Sequence, residues 1–257
     1  MIKYHGLPIT PNDAAIATVK NRHAFVSWAH PTQLPIAVEY SDGFAIDNGA
    51  FSLWRSNKIV VWETYYKFVE KLLKPKISNF QWVIIPDVID GDLKSNQNLI
   101  NEWPFGQIGS PVWHLHEPIE WLIELTQQYY RVCLGSSGEY AVIGTPQWWN
   151  RMDTIFRDLK ENSGNALLHG LRMMHPKIIA RYPFASVDST NIGQNIGIDA
   201  RWNDRSYPCA SKTLRALVLR DRIESMPTAK KFNNTEQIRL TFTGGKLNAD
   251  SNQKMHL

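Results

Sequence analysis

Short apolar runs alternate with amphipathic segments through most of this chain, and this alternation limits the folds it can adopt. Seven runs have the length and composition of strands, with an eighth, weaker one at 35–38: 24–28, 43–46, 81–85, 111–115, 131–134, 166–170 and 184–187. Segments between them carry apolar residues at helical spacing: 62–74, 118–128, 146–161 and 176–181. Strands that alternate with helices form parallel sheets. The pattern predicts an α/β fold. It favours a TIM-like (β/α)8 barrel over an open doubly wound sheet.

The alternating pattern predicts one catalytic domain over residues 1–225. Residues 210–224 have a helical, basic pattern, and the chain from Met226 onward is mostly polar. We therefore predict that 226–257 is a C-terminal extension that is partly disordered.

The charge and cysteine content restrict the partners and the compartment. A net charge of +4 and a pI of about 9.0 are compatible with a polyanionic partner. Cys133 and Cys209 are the two cysteines, and neither belongs to a CxxC pair. No apolar run is long enough to span a membrane, and the N-terminus has no signal-peptide core. We expect a soluble, cytoplasmic protein with no membrane association, and its oligomeric state stays open.

Polar residues follow the predicted strands at the point where each strand ends. They are Asp47, Asp87, His114, His116, the Gly135–Glu139 segment, Gly170 and Asp188. In a barrel the carboxyl ends of the strands form one rim, where active sites lie. We therefore expect these side chains and amides to converge.

Each of these features also has a purely structural explanation. Asp47-Asn48-Gly49 is a common turn, residues 135–139 could cap a helix, and Asp188 could begin an Asx turn. Independent turns do not predict polar residues at so many strand ends. Two carboxylates at one rim, Asp47 and Asp188, are the usual equipment for breaking a glycosidic bond.

Six motifs occur in an order that resembles a known family. They are IDNGAFS (46–52), IIPDVIDGD (84–92), PVWHLHEP (111–118), CLGSSGE (133–139), LLHGLR (167–172) and FASVDSTN (184–191). The series resembles the tRNA-guanine transglycosylase superfamily, most of all the phage and bacterial DpdA-type enzymes that insert 7-deazaguanine (preQ0-like) bases into DNA. The resemblance covers the chain from residue 24 to residue 195.

The resemblance implies a reaction that exchanges one base for another. Asp188 would be the nucleophile that attacks C1′ of a guanosine nucleotide and forms a covalent glycosyl-enzyme. Asp47 would be the general acid/base that assists the departing guanine and deprotonates the incoming base. DNA and a free 7-deazaguanine base would be the two substrates.

The resemblance also implies a pocket for the base. Asp87 matches the family aspartate that accepts hydrogen bonds from a guanine edge. The backbone of Gly135 and Ser136 matches the loop that contacts the base carbonyl. His116, preferred to His114, stands where the family has a glutamine. Phe51 would stack on the base or pack in the core, and Gly170 completes the predicted base pocket.

This chain departs from the family in its C-terminal part. The tRNA enzymes carry a zinc site of three cysteines and one histidine there, whereas this chain has only Cys209. We therefore predict no zinc subdomain, no metal and no cofactor. This departure and the small size favour DNA over tRNA.

Basic residues with an interleaved tryptophan follow residue 170 and suit phosphates and an unstacked base. The candidates are Arg172, Lys177, Arg201, Trp202 and Arg205. The basic residues within 212–222 could also contact phosphates, or they could lie on a solvated helix face. The target nucleotide would have to leave the duplex stack.

Three other functions remain compatible with the sequence. The same exchange could act on tRNA. A (β/α)8 glycoside hydrolase could use the two carboxylates, with Trp148 and Trp149 as sugar platforms, although we expect these tryptophans to pack in a helix. A non-catalytic nucleic-acid-binding protein could also have this fold.

Overall fold

The computed structural model describes residues 1–57, 60–162, 164–199, 202 and 209–232. Within these ranges, nine strands form one parallel sheet: β1 (Ile2–Leu7), β2 (His23–Ser27), β3 (Gly43–Asp47), β4 (Phe80–Ile84), β5 (Gly109–Ser110), β6 (Val112–His114), β7 (Arg131–Gly135), β8 (Leu167–Gly170) and β9 (Ser186–Ser189). Each predicted strand outside 35–38 is found, with ends shifted by a few residues.

The sheet curves until its two ends nearly meet. Its order is β5-β4-β3-β2-β1-β9-β8-β7-β6, and only Pro111 separates β5 from β6 in the chain. The Ile85 N–H donates to the carbonyl of Ser110 at 3.0 Å, and the Cys133 N–H donates to that of Pro111 at 2.9 Å. Proline has no N–H to continue the ladder, so Pro111 separates β5 from β6, and the predicted strand 111–115 begins only at Val112. The α/β class is confirmed, with a sheet that is nearly barrel-shaped.

Helices connect the strands: α1 (Asn12–Val19), α2 (Leu34–Tyr40), α3 (Ala50–Arg55), α4 (Trp62–Leu73), α5 (Leu93–Asn101), α6 (Ile119–Gln128), α7 (Pro146–Asn162), α8 (Pro176–Ile179), α9 (Asn191–Asn195) and α10 (Lys212–Glu224). Helix α4 shows why the spacing of apolar residues predicts helices in this chain. Tyr65, Val69 and Leu72 are buried at helical spacing, and Glu63 pairs with Lys67 on the exposed side.

The weak strand prediction at 35–38 is wrong, because these residues lie in α2. A short apolar run does not distinguish a strand from a buried helix. Pro35 occupies the first turn of α2, where its missing N–H costs nothing, and Ala37 is buried.

Strand β1 was not predicted, although it lies at the centre of the sheet order. Tyr4 faces the barrel interior, and the polar residues Lys3 and His5 interrupt the apolar pattern on either side. Both are buried because α10 supplies partners. Lys3 Nζ donates to the carbonyls of Ile223 and Glu224, both at 2.8 Å, and to that of Met226 at 3.0 Å. His5 Nε2 lies 2.8 Å from Glu224 Oε1.

Aromatic rings fill the middle of the barrel. Tyr4, Phe25, Trp82 and His169 contact one another, and the Trp82 and His169 rings lie 4.9 Å apart. We call these four side chains the aromatic plug. The Trp82 indole N–H donates to the Tyr4 hydroxyl at 2.9 Å, so both groups have a hydrogen-bond partner inside the barrel. The plug forms the floor beneath the carboxyl ends of the strands.

The start of the predicted C-terminal extension packs on the domain. The Ala229 N–H donates to the carbonyl of Ile179 at 2.7 Å, and the Phe232 ring stacks on Tyr182 with centroids 5.7 Å apart. The prediction for residues 233–257 lies outside the described residues. In the described part of the chain, no helix has the length and apolarity to cross a membrane.

We predict that Lys3→Ala destabilises the fold. The substitution leaves three carbonyls at the end of α10 without their charged donor, at a cost of about 1–3 kcal/mol in the free energy of unfolding. Urea unfolding followed by tryptophan fluorescence measures the loss. The exposed Lys71 in α4 is the control, and Lys71→Ala should cost only roughly a few tenths of a kcal/mol. Equal losses for the two variants would contradict the role of Lys3.

Candidate active site

A cavity of about 360 Å³ opens at the carboxyl ends of the strands. Six of the predicted polar residues line it: Asp47, Asp87, His114, Gly135, Ser136 and Asp188. Their strands are spread through the sheet order, and the curvature of the sheet brings their ends together. The predicted convergence of the strand ends therefore holds for these residues.

Asp47 is the last residue of β3, and a tight turn fixes its position. Gly49 has φ +77°, and a Cβ there would lie 2.8 Å from the Cβ of Ala29. Glycine avoids both the left-handed strain and this contact. Asn48 Oδ1 accepts the Ala50 N–H at 2.9 Å. The turn explanation and the active-site explanation of Asp47 are therefore compatible.

The environment of Asp47 favours its protonated form. Burial raises the pKa of its carboxyl to about 7, and the nearby carboxylates of Asp188 and Asp87 act in the same direction. The Gly49 N–H and the Ser27 hydroxyl oppose the increase only in part. Asp47 can therefore exchange a proton close to neutral pH, as a general acid/base must.

Asp87 is held by two neighbours in the cavity wall. The Asn48 side-chain amide donates to Asp87 Oδ1 at 2.7 Å, and His114 Nε2 lies 3.0 Å from Oδ2. Burial acts to lower the pKa of His114, but the carboxylates of Asp87 and Glu117 outweigh it and raise that pKa. His114 Nε2 has no well-aligned hydrogen bond among the described residues, although its distance to Asp87 is short.

Asp188 has one carboxylate oxygen engaged by the protein. Its Oδ1 accepts the backbone N–H of Arg172 at 2.8 Å and lies 3.3 Å from His169 Nε2. Within the described residues, no hydrogen bond reaches Oδ2. Asp188 is 4% exposed and lines the cavity. This arrangement leaves Oδ2 for a ligand.

Arg172 and Phe51 face each other at the cavity. The Arg172 guanidinium lies 4.1 Å from the centroid of the Phe51 ring, and both residues line the cavity. Phe51 also contacts the exposed Trp54, with ring centroids 5.8 Å apart. Of the two predictions for Phe51, the structure favours a position beside a ligand over one in the core.

Four of the described predicted site residues lie outside the cavity wall: His116, Gly170, Lys177 and Trp202. His116 was preferred to His114, but β6 ends at His114, and His116 Nδ1 lies 2.8 Å from Ser137 Oγ instead. Gly170 lies against Met173 and Phe184. Lys177 is exposed on α8.

The tryptophans expected to meet ligands are packed in the fold. Trp202 is 4% exposed, with the Arg215 guanidinium 5.6 Å from its ring, so it is not an open stacking platform. Trp148 is buried and its indole N–H donates to Ser136 Oγ at 2.9 Å, which supports helix packing over a sugar platform. Arg201 and Arg205 lie outside the described residues.

Sequence reasoning missed His169 and Ser186, which lie beneath Asp188. Both are buried in the barrel. The signal was a histidine inside the apolar strand ALLHG, which is more often a satisfied core residue than part of a site.

Neither a scan against protein-family models nor searches of curated proteins and solved structures found a match for this chain. Across the described residues, no group of three or more His, Cys, Asp or Glu side chains is placed to hold a metal ion. The arguments about function therefore rest on the geometry of the cavity.

We predict that Asp47→Asn stabilises the protein in a pH-dependent way. Between the ordinary aspartate pKa of 3.8 and about 7, the folded protein retains a proton that the unfolded chain has lost. The stability of the wild type therefore falls as the pH rises through this window, and asparagine removes the effect.

The stability difference between Asp47→Asn and wild type should be near zero at about pH 4 and reach roughly 2–4 kcal/mol at about pH 8. Urea unfolding at several pH values measures it. Asp42 precedes the other end of β3 and is exposed, so Asp42→Asn should show no such trend. A constant difference for Asp47→Asn would contradict the elevated pKa.

Proposed function

We propose that this chain is a (β/α)8 transglycosylase that replaces guanine in DNA with a 7-deazaguanine through a covalent aspartyl intermediate. One observation carries the proposal: three carboxylates, Asp47, Asp87 and Asp188, line one cavity in three different environments. The cavity volume of about 360 Å³ lies in the usual range for small-molecule sites. If β5 and β6 are one strand interrupted by Pro111, the nine strands give the eight positions of such a barrel.

In the first step, Asp188 Oδ2 attacks C1′ of the target nucleotide. The C1′–N9 bond breaks, and its electron pair leaves with guanine, which takes the proton of Asp47. The pKa of about 7 supports this role, because part of the Asp47 population is protonated at neutral pH. The two oxygens of Asp188 have separate tasks, since Oδ1 is already engaged by the Arg172 N–H.

In the second step, guanine is exchanged for the incoming base. Asp47, now ionised, takes the N9 proton of the 7-deazaguanine, and N9 attacks C1′. The bond between C1′ and Asp188 breaks, and the carboxylate is restored. Protons and electron pairs balance over the cycle, so the reaction requires no cofactor.

The wall of the cavity supplies groups that suit a guanine edge. The ionised Asp87 is an acceptor for the N1–H and the 2-amino group. His114, with its raised pKa, and the backbone amide of Ser136 are donors for the base carbonyl, whereas the Gly135 N–H belongs to the ladder between β6 and β7. Asn48 holds Asp87 in position through the 2.7 Å hydrogen bond.

The rim of the cavity supports a polynucleotide substrate. Arg55 and Arg172 are exposed cations that line the cavity, and Phe51 and Trp54 are flat rings beside them. Cations with aromatic rings suit phosphates and unstacked bases. The sequence has no cysteines for the zinc subdomain of the tRNA enzymes, which favours DNA; the same exchange on tRNA is the alternative.

Nucleoside mass spectrometry tests the proposal. The protein is incubated with guanine-containing DNA or tRNA and a 7-deazaguanine, and the digested product is analysed. We expect a deazaguanine nucleoside from DNA. Exchange on tRNA alone would keep the chemistry and overturn the substrate. Release of guanine without incorporation would indicate a hydrolase, and no reaction with several 7-deazaguanines would contradict the proposal.

We predict that Asp188→Asn lowers the exchange rate by at least about a thousandfold, because the amide cannot form the glycosyl ester. The covalent adduct seen on a denaturing gel should disappear as well. Asp42→Asn, at the opposite end of the barrel, should exchange bases at the wild-type rate. Full activity of the Asp188 variant would show that another residue is the nucleophile.

A further inference from the structure

Four side chains form a continuous line through the barrel interior and end at Asp188. Arg131 Nη1 donates to Ser186 Oγ at 3.1 Å, and Ser186 Oγ lies 2.8 Å from His169 Nδ1. His169 Nε2 then lies 3.3 Å from Asp188 Oδ1. Arg131, His169 and Ser186 lie outside the cavity wall, so they do not touch a substrate bound there.

The protonation of this line follows from what each atom can do. Burial lowers the pKa of His169, so its ring is neutral and carries one N–H. An ionised Asp188 is only an acceptor, so that N–H must be on Nε2. Nδ1 then accepts the hydroxyl proton of Ser186, whose oxygen accepts from Arg131. Every donor points toward Asp188.

The far end of the line carries a fixed positive charge. The Arg131 guanidinium lies 4.8 Å from the centroid of Trp82, and it has no ion pair with an acid among the described residues. Its charge lowers the pKa of His169 and so helps to keep the ring neutral. Arg131 thus orients the Ser186 hydroxyl and adds to the effect of burial in keeping the ring neutral.

We propose that His169 is a positioning residue that fixes the carboxylate of Asp188, with Ser186 and Arg131 fixing the tautomer of His169. This inference rests on the proposed function of Asp188 as nucleophile. With Oδ1 held by His169 and by the Arg172 N–H, the carboxylate cannot rotate freely and Oδ2 is presented for attack. A nucleophile held in its reactive orientation accelerates the step that it performs.

Substitutions that differ in the donor at position 169 test the proposal. His169→Leu keeps an apolar side chain of similar bulk but has no donor, and we expect kcat for base exchange to fall about tenfold to a hundredfold with KM unchanged. His169→Gln keeps an N–H at a similar reach and should recover most of the rate. Ser186→Ala frees the tautomer and should cost about threefold to tenfold.

A change in KM alone, or equal rates for the leucine and glutamine variants, would overturn the proposal. Thermal unfolding of each variant shows whether the fold is retained. If His169→Leu does not fold, the kcat values of wild type, His169→Gln and Ser186→Ala still test the positioning role of His169. Unchanged kcat in Ser186→Ala would then show that the line has no role in positioning.

Ring ¹⁵N NMR of histidine-labelled protein gives a readout that needs no activity. We expect a neutral His169 with the proton on Nε2, and a shift of this signal in Asp188→Ala. A proton on Nδ1, or a charged ring, would overturn the proposal. A wild type that does not exchange bases but has the expected tautomer would overturn the proposed function and support the contact between His169 and Asp188. A wild type that exchanges bases, with a His169→Leu variant of equal rate, would support the proposed function and overturn the positioning role of His169.

Discussion

The structure depends on placing three carboxylates in one cavity at the end of a nearly closed sheet. Buried carboxylates repel one another and lose hydration, so each must be neutralised or given donors. Asp87 receives the Asn48 amide and lies beside His114, and Asp188 receives the Arg172 N–H and lies beside His169. Asp47 has the elevated pKa of about 7 and can hold a proton instead. Different environments for similar groups are what acid–base chemistry at neutral pH requires.

The scaffold keeps these groups in place by joining the two ends of the described chain. Strand β1 pairs with β9, with Tyr4 opposite Asp188, so the N-terminal strand supports the proposed nucleophile. Lys3 and His5 on the other face of β1 bind the end of α10. Aromatic packing below the cavity fills the barrel, and His169 is fully buried against the rings of Tyr4, Phe25 and Trp82. The rigidity of the site therefore comes from contacts between residues far apart in sequence.

The proposed base pocket and the proposed nucleophile are held by different contacts. Asp87 and His114 lie in the cavity wall, where a ligand can exchange for their mutual contact. The Arg131–Ser186–His169 line lies below Asp188, outside the cavity wall. In the proposed reaction, the base pocket can therefore adapt to the incoming base while the carboxylate of Asp188 stays fixed.

The sequence by itself determined the α/β class and most strand positions, because strand and helix periodicity are local signals. It predicted Asp47, Asp87 and Asp188 at one rim, and they line one cavity. The tertiary structure alone decided the rest. Strand β1 was hidden because Lys3 and His5 have their partners in α10, more than two hundred residues away. His114 lines the cavity and His116 does not, because β6 ends at His114, and Trp202 is buried. The proposed role of His169 depends on its contacts with Ser186 and Asp188, and such contacts between strands are not encoded in any local pattern.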